Sequence, residues 1–241
     1  MKVALLLRGH VRDSLFSNDL HDFVKRLYDL YSVDLFIHTW NVVSSGGGHR
    51  EIRENLTPVT DLVLQNYFGD IECLKKFIVE DMNCVKLVGS WGGFVCGTGQ
   101  PKQAWKNYWY GQWRLLGTVQ GLDYDYVINM RFDLLEFERY LLFKRIGFLS
   151  DSVEEKLLLS DLLKRISTGL IEGRILLRHD GLQFGIDNCM IGTPDLMMTL
   201  ISKFHFELDA ICLAWPDVSS HEFLVFHVND NLLQQGLTPG Q

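Results

Sequence analysis

No apolar stretch of this chain approaches the 18 residues that mark a candidate membrane span. The run Val3 to Leu7 at the N-terminus is five residues long and is stopped by Arg8. That is too short for the core of a signal peptide. Cysteine is sparse and odd in number: Cys73, Cys84, Cys96, Cys189 and Cys212, with no CxxC pair. This argues against a zinc ribbon or a disulfide scaffold and for free thiols in a reducing compartment. Positive charge is short as well. Lys and Arg number 23 against 30 Asp and Glu, for a net charge of −7, and the basic residues are scattered. A nucleic acid is therefore not the expected partner, although a locally basic pocket for a phosphate remains open. No GxxxxGK[ST] and no strand–turn–helix GxGxxG is present. Ser44-Ser45-Gly46-Gly47-Gly48 therefore reads as a loop and not as a phosphate cradle.

What is present is ordinary globular material: 241 residues, 47% hydrophobic and 22% charged. This suits an α/β domain that folds without disulfides. Val3 to Leu7 reads as a strand buried on both faces. Residues 18–31 have helical spacing (Leu20, Phe23, Val24, Leu27), with Asn18 or Asp19 as cap. Residues 33–40 form a second strand, which completes a β-α-β unit and predicts a parallel sheet. Short helices are expected over 59–68 and 70–80, and a loop or irregular strand pair over 83–99. An aromatic helix over 102–120 packs Trp105, Trp109 and Trp113 on the sheet. Residues 125–130 form a strand and 151–165 a surface helix. Short strands fall at 175–178 and around Asp187, and helices over 194–204 and 219–233. The expected domain covers 1–233, with 234–241 as a tail or linker.

Five constellations could carry chemistry. Arg131 and Asp133 stand two apart at the end of a buried strand and so point the same way. Ligands of open α/β sheets collect beyond such strand ends. The carboxylate suits Mg²⁺ or Mn²⁺ and the guanidinium a phosphate; the alternative is a surface ion pair. Arg8 and Arg12 bracket Gly9 directly after the first strand, and could face a phosphate or form an exposed turn. Asp34, His38 and Trp40 share the second strand, where a lone His is more often structural. Asp187 lies among apolar residues, as a base, a sugar-hydroxyl acceptor or a cap. His221 and His227, flanking Glu222, are six apart and so cannot form the i, i+4 pair of a zinc protease helix. Glu222 or His227 could still reach a pocket.

In order, these motifs are Arg8-Gly9-His10-Val11-Arg12, then Val33 to Trp40, then Tyr124 to Leu134, then Asp187 to Pro194, and last Glu222 with His227. The ordered set resembles small GT-A-type glycosyltransferases of large algal DNA viruses, which glycosylate their own capsid proteins, and of bacterial polysaccharide loci. Arg131 stands where the more familiar Asp-x-Asp form has its first Asp. The resemblance implies a mostly parallel sheet flanked by helices. It also implies a nucleoside-diphosphate sugar donor, UDP-linked, and a hexose or deoxyhexose passed to a glycan or glycoprotein in the cytoplasm (the host's, if viral). It places Leu7, Arg8, Gly9, Arg12, His38, Asn129 and Arg131 around the donor. Asp133, with His227, would hold a divalent cation. Asp187, or next Glu222, would serve as base if the reaction inverts. Two rivals stay open: a module that binds nucleotide sugars without turnover, and a metal-dependent phosphotransferase or nuclease using Glu136 beside Asp133.

Overall fold

The computed structural model describes residues 1–45, 54–135, 160, 163–164, 166–168, 175–177 and 188–234. At its centre is β1 (Val3–Arg8), in which all six residues are buried. It lies between β2 (Asp34–Trp40) and β6 (Tyr126–Arg131), both parallel to it. Outside β2 runs β5 (Leu74–Glu80), also parallel. Beyond β6 comes β8 (Cys189–Gly192), antiparallel to β6 and to the edge strand β7 (Leu176–Leu177). The strand order is therefore β5-β2-β1-β6-β8-β7, while β3 (Val42–Ser44) and β4 (Asn55–Pro58) form a separate antiparallel pair.

Side chains alternate across the sheet, and each face has its own cover. Leu5, Leu7, Leu35, Ile37, Ile128 and Met130 belong to one core, with residues of α1 (Asp19–Tyr31) and α2 (Asp61–Phe68). Ala4, Leu6, Phe36 and Val127 belong to the other. That core draws on α3 (Lys102–Leu116), α4 (Pro194–Ala214) and α5 (His221–Gln234). Trp109 of α3 stacks on Phe204 of α4, with ring centroids 4.3 Å apart. The aromatic row of α3 is thus core material, as helical spacing implies. The result is an α/β fold with a mostly parallel central sheet flanked by helices. No helix among the described residues is long and apolar enough to cross a membrane.

Four expectations are corrected. Residues 74–80 form the edge strand β5 and not a helix. Phe77-Ile78-Val79 favours a strand, and parallel pairing with β2 supplies the backbone bonds. Asn18 takes the cap position of α1 but makes no side-chain capping bond, whereas Thr60 does cap α2. The helix begun at Pro194 runs on to Ala214, because Leu208 and Ile211 continue its buried stripe. Of the expected surface helix at 151–165 only 160 and 163–164 are described, and Leu163, with Ile166 just beyond, is buried in the core.

Two predictions follow from how α3 is packed. A Cβ added to Gly111 would stand 2.9 Å from Nδ1 of His38, whose ring is wholly buried. Gly111→Ala should therefore destabilise by about 1–3 kcal/mol through overpacking, despite the roughly 1 kcal/mol that alanine gains in a helix; thermal unfolding reads the sign. His205 stacks on Trp113 at 4.6 Å, and burial, aided by the charge of Lys106, pushes its pKa down to about 4. Between pH 6.5 and 4 the unfolded chain then binds that proton more tightly than the folded one. The stability contribution is complete above 6.5 and is lost as pH falls towards 4. Unfolding of His205→Gln across that window should show a shallower loss than the unsubstituted chain.

Candidate functional site at the strand-order switch

From β1 the chain moves to one side, into β2 and then β5, and it later returns to the other side of β1 as β6. The carboxyl ends of β1 and β6 thus flank the point where strand order reverses, the usual ligand crevice of an open α/β sheet. Each of these strands ends in an arginine, and Arg8 and Arg131 are direct neighbours in register.

Each arginine is held differently. Arg8 is 1% exposed. Its Nε donates to Oδ1 of Asn129 at 2.7 Å, and its guanidinium lies 4.4 Å from the centre of the Tyr108 ring. Asn129 in turn donates from Nδ2 to Oε1 of Gln112 on α3 at 2.9 Å. Arg131 grips Asp133 with two bonds, Nε to Oδ1 at 2.7 Å and Nη2 to Oδ2 at 2.6 Å. Such a bidentate pair is strong and fixed in orientation. Nη1 of Arg131 donates to Oδ1 of Asn188 at 3.1 Å. Arg12 also bonds Oδ2 of Asp133 through Nη1. Asp133 is 3% exposed. Among the described residues, three arginines and one aspartate meet at this corner of an acidic chain.

Backbone and side-chain bonds lock the surrounding turns. The N–H of Gly9 donates to the His38 carbonyl, that of Phe132 to the Arg8 carbonyl and that of Arg131 to the Asn188 carbonyl. Ser14, in the 3-10 turn Arg12–Leu15, donates to the Phe132 carbonyl at 2.9 Å. Gly9 has φ +92° and Arg12 φ +48°. Glycine takes such a value freely, whereas Arg12 is held in it at a cost of about 1–3 kcal/mol.

Around the expected donor, the fold gathers Arg8, Gly9, Arg12, Asn129, Arg131 and Asp133. The side chain of Leu7 instead points into the core on the α1 side. His38 is a correction: it is wholly buried under α3, and its Nε2 lies 3.0 Å from Oε2 of Glu80. That bond, followed by Arg114, holds the Glu80 carboxyl below its usual range. Glu222 lies in the first turn of α5, buried, and accepts from the Ser220 hydroxyl at 2.9 Å. Asp187 and Glu136 lie outside the described residues.

Asp133 and His227, expected to hold a metal ion, stand in different surroundings. His227 is exposed on α5, with the rings of Phe223 and Phe226 as its neighbours. Asp133 already carries two guanidiniums. Among the described residues no three His, Cys, Asp or Glu side chains are grouped so as to hold a metal ion. A divalent cation wants several anionic oxygens; here one carboxylate faces two cations, so the described residues do not fit one.

Sequence reasoning missed Gln112, Asn188 and His10. Gln112 stands seven residues after Trp105 and three after Trp109, on the buried stripe of α3, and that spacing was its signal. Asn188 is 2% exposed, and its Nδ2 has no hydrogen-bond partner. His10 lies directly after Gly9, and burial, then the charges of Arg12 and Arg131, bring its pKa down to about 4.

No family model and no curated protein matches this chain. Among solved structures it is similar to a crystal structure of an active-site mutant of LgtC. The identity is 9% and the TM-score 0.43, with 95% of this chain and 70% of that chain covered. Nothing about activity follows from a likeness of that size.

Asp133→Asn should leave two guanidiniums without their shared counter-charge and destabilise the chain by about 3 kcal/mol. Pyrophosphate should restore part of that loss by taking the carboxylate's place. Thermal unfolding with and without pyrophosphate checks both halves; an unchanged melting temperature would contradict the assigned role.

Proposed function

We propose that this chain is a glycosyltransferase that takes a nucleoside-diphosphate sugar, with uridine as the nucleoside, and passes a hexose or deoxyhexose to a glycan or glycoprotein. The observation that carries the reading is the arginine cluster at the ends of β1 and β6, at the point where strand order reverses. The ordered motifs of the sequence agree with it.

On this reading the donor's diphosphate lies against Arg12 and Arg131, with the amide of Asn188 as a further hydrogen-bond donor. Asp133 does not bind the diphosphate; it holds the two arginines in place. Arg8, fixed by Asn129 and Tyr108, adds positive charge from beneath. When the bond from sugar to diphosphate breaks, negative charge gathers on the leaving group. Pre-positioned guanidiniums in a partly desolvated site stabilise that charge with little reorganisation. Gly9, lacking a side chain, lets the nucleotide approach the end of β1.

Calorimetry tests this directly. UDP should bind more tightly than UMP, and UMP more tightly than uridine. Affinity should fall as salt rises and should survive a chelator. Arg131→Ala should weaken UDP binding by about 10- to 100-fold, the worth of a charge-assisted bond. If no nucleoside diphosphate binds, the reading falls. Release of free sugar from a UDP-sugar without acceptor separates a transferase from a module that only binds.

A further inference from the structure

His10 and Ser45 form a pair that the donor site does not use. Nδ1 of His10 lies 3.2 Å from the Val42 carbonyl oxygen. A carbonyl can only accept, so Nδ1 carries the ring proton. Nε2 then has no proton, and its lone pair accepts from the Ser45 hydroxyl at 2.9 Å. The ring leans on Trp40, with centroids 6.3 Å apart.

Charged groups face this ring from two places: Arg12 from the 3-10 turn, and Arg131 and Asp133 from the end of β6 and just past it. From the β3 side come the Val42 carbonyl and Ser45, and Met82 has its sulfur 4.0 Å from the serine oxygen. Burial first, then the two arginines, keep the ring neutral at pH 7, against the Val42 bond and Asp133. A neutral imidazole thus presents an unprotonated nitrogen to a hydroxyl at the edge of the cluster assigned to the diphosphate.

We infer that His10 is the base of the transfer, taking the acceptor hydroxyl's proton on Nε2, and that the Ser45 hydroxyl marks where the acceptor hydroxyl sits. The inference rests on the glycosyltransferase reading. In the step, the acceptor oxygen bonds to the anomeric carbon and its proton passes to Nε2. The bond from that carbon to the diphosphate oxygen breaks, and its electron pair leaves with the diphosphate. The single displacement inverts the anomeric centre. Donor binding also prepares the base. A diphosphate on Arg12 and Arg131 offsets their repulsion of an imidazolium, so His10 becomes more basic when the donor is present.

The test uses the full chain, UDP, a UDP-α-sugar turned over by the enzyme, and its acceptor. His10→Asn keeps an N–H towards Val42 but has no basic nitrogen. It should bind UDP within about threefold of the unsubstituted chain yet lose at least about 100-fold in turnover, the usual share of a general base. The product should be the β-anomer. The ring proton resonances of His10, followed by NMR, should titrate at higher pH once UDP is bound. Near-normal turnover in His10→Asn, an α-linked product, or a His10 titration indifferent to UDP would each overturn the assignment. Failure of UDP to bind the unsubstituted chain would remove the donor reading, and the base assignment with it. UDP binding without the His10 effects would remove the base assignment alone.

Discussion

Two positive charges end adjacent strands, and most of the site follows from making that tolerable. Arg8 and Arg131 are register partners on β1 and β6, and like charges directly across a strand pair repel. Neither can simply turn into water: Arg8 is 1% exposed and Arg131 is tied down by two bonds to Asp133. The fold meets this with two separate sets of partners. Arg8 is taken by the amide of Asn129 and the ring of Tyr108, neutral groups that orient it. Arg131 is taken by a carboxylate that also binds Arg12. The guanidiniums are thereby held in fixed places at one corner of the fold.

The same constraint explains features that look unrelated. Gln112 is buried on α3 because Asn129 needs something to hold its other end. Arg12 is kept at a positive φ because only from that turn does it share Asp133 with Arg131. Ser14 bonds the Phe132 carbonyl and so ties that turn to the segment carrying Asp133. His38 lies beside this network without joining it, wedged against the glycine of α3 and bonded to Glu80.

Much of the frame could be read from the chain because periodicity reports burial. Val3 to Leu7 is apolar at every position, and β1 is buried on both faces. The stripe Leu20, Phe23, Val24, Leu27 has the helical period, and α1 buries those four residues. Residues 74–80 misled because Leu74, Phe77 and Ile78 fit a helical stripe as well as a strand, and the lysines between them suit either exposed surface. What decided the matter was pairing with β2, some forty residues away in sequence. Within the site, the spacing of Arg131 and Asp133 marked a shared direction. It could not show that Arg12, 121 positions earlier, would occupy the same carboxylate. His10 was hidden for the same reason: between two arginines it looks like any turn residue, and its partners Val42 and Ser45 lie 32 and 35 positions on.

That occupancy changes the chemistry the site offers. A lone carboxylate at a strand end suggests a metal ion bridging protein and diphosphate. A carboxylate gripped by two guanidiniums is already neutralised, and a cation approaching it would have to displace one of them. On the proposed reading, the charge that a metal would bring is carried by the arginines, whose fork geometry matches phosphate oxygens. On that reading Arg131 stands where the Asp-x-Asp form has an acid and takes over its part. It replaces one negative charge that would recruit a cation with one positive charge that needs none. On that reading the remaining carboxylate, Asp133, serves to aim the two cations at the crevice.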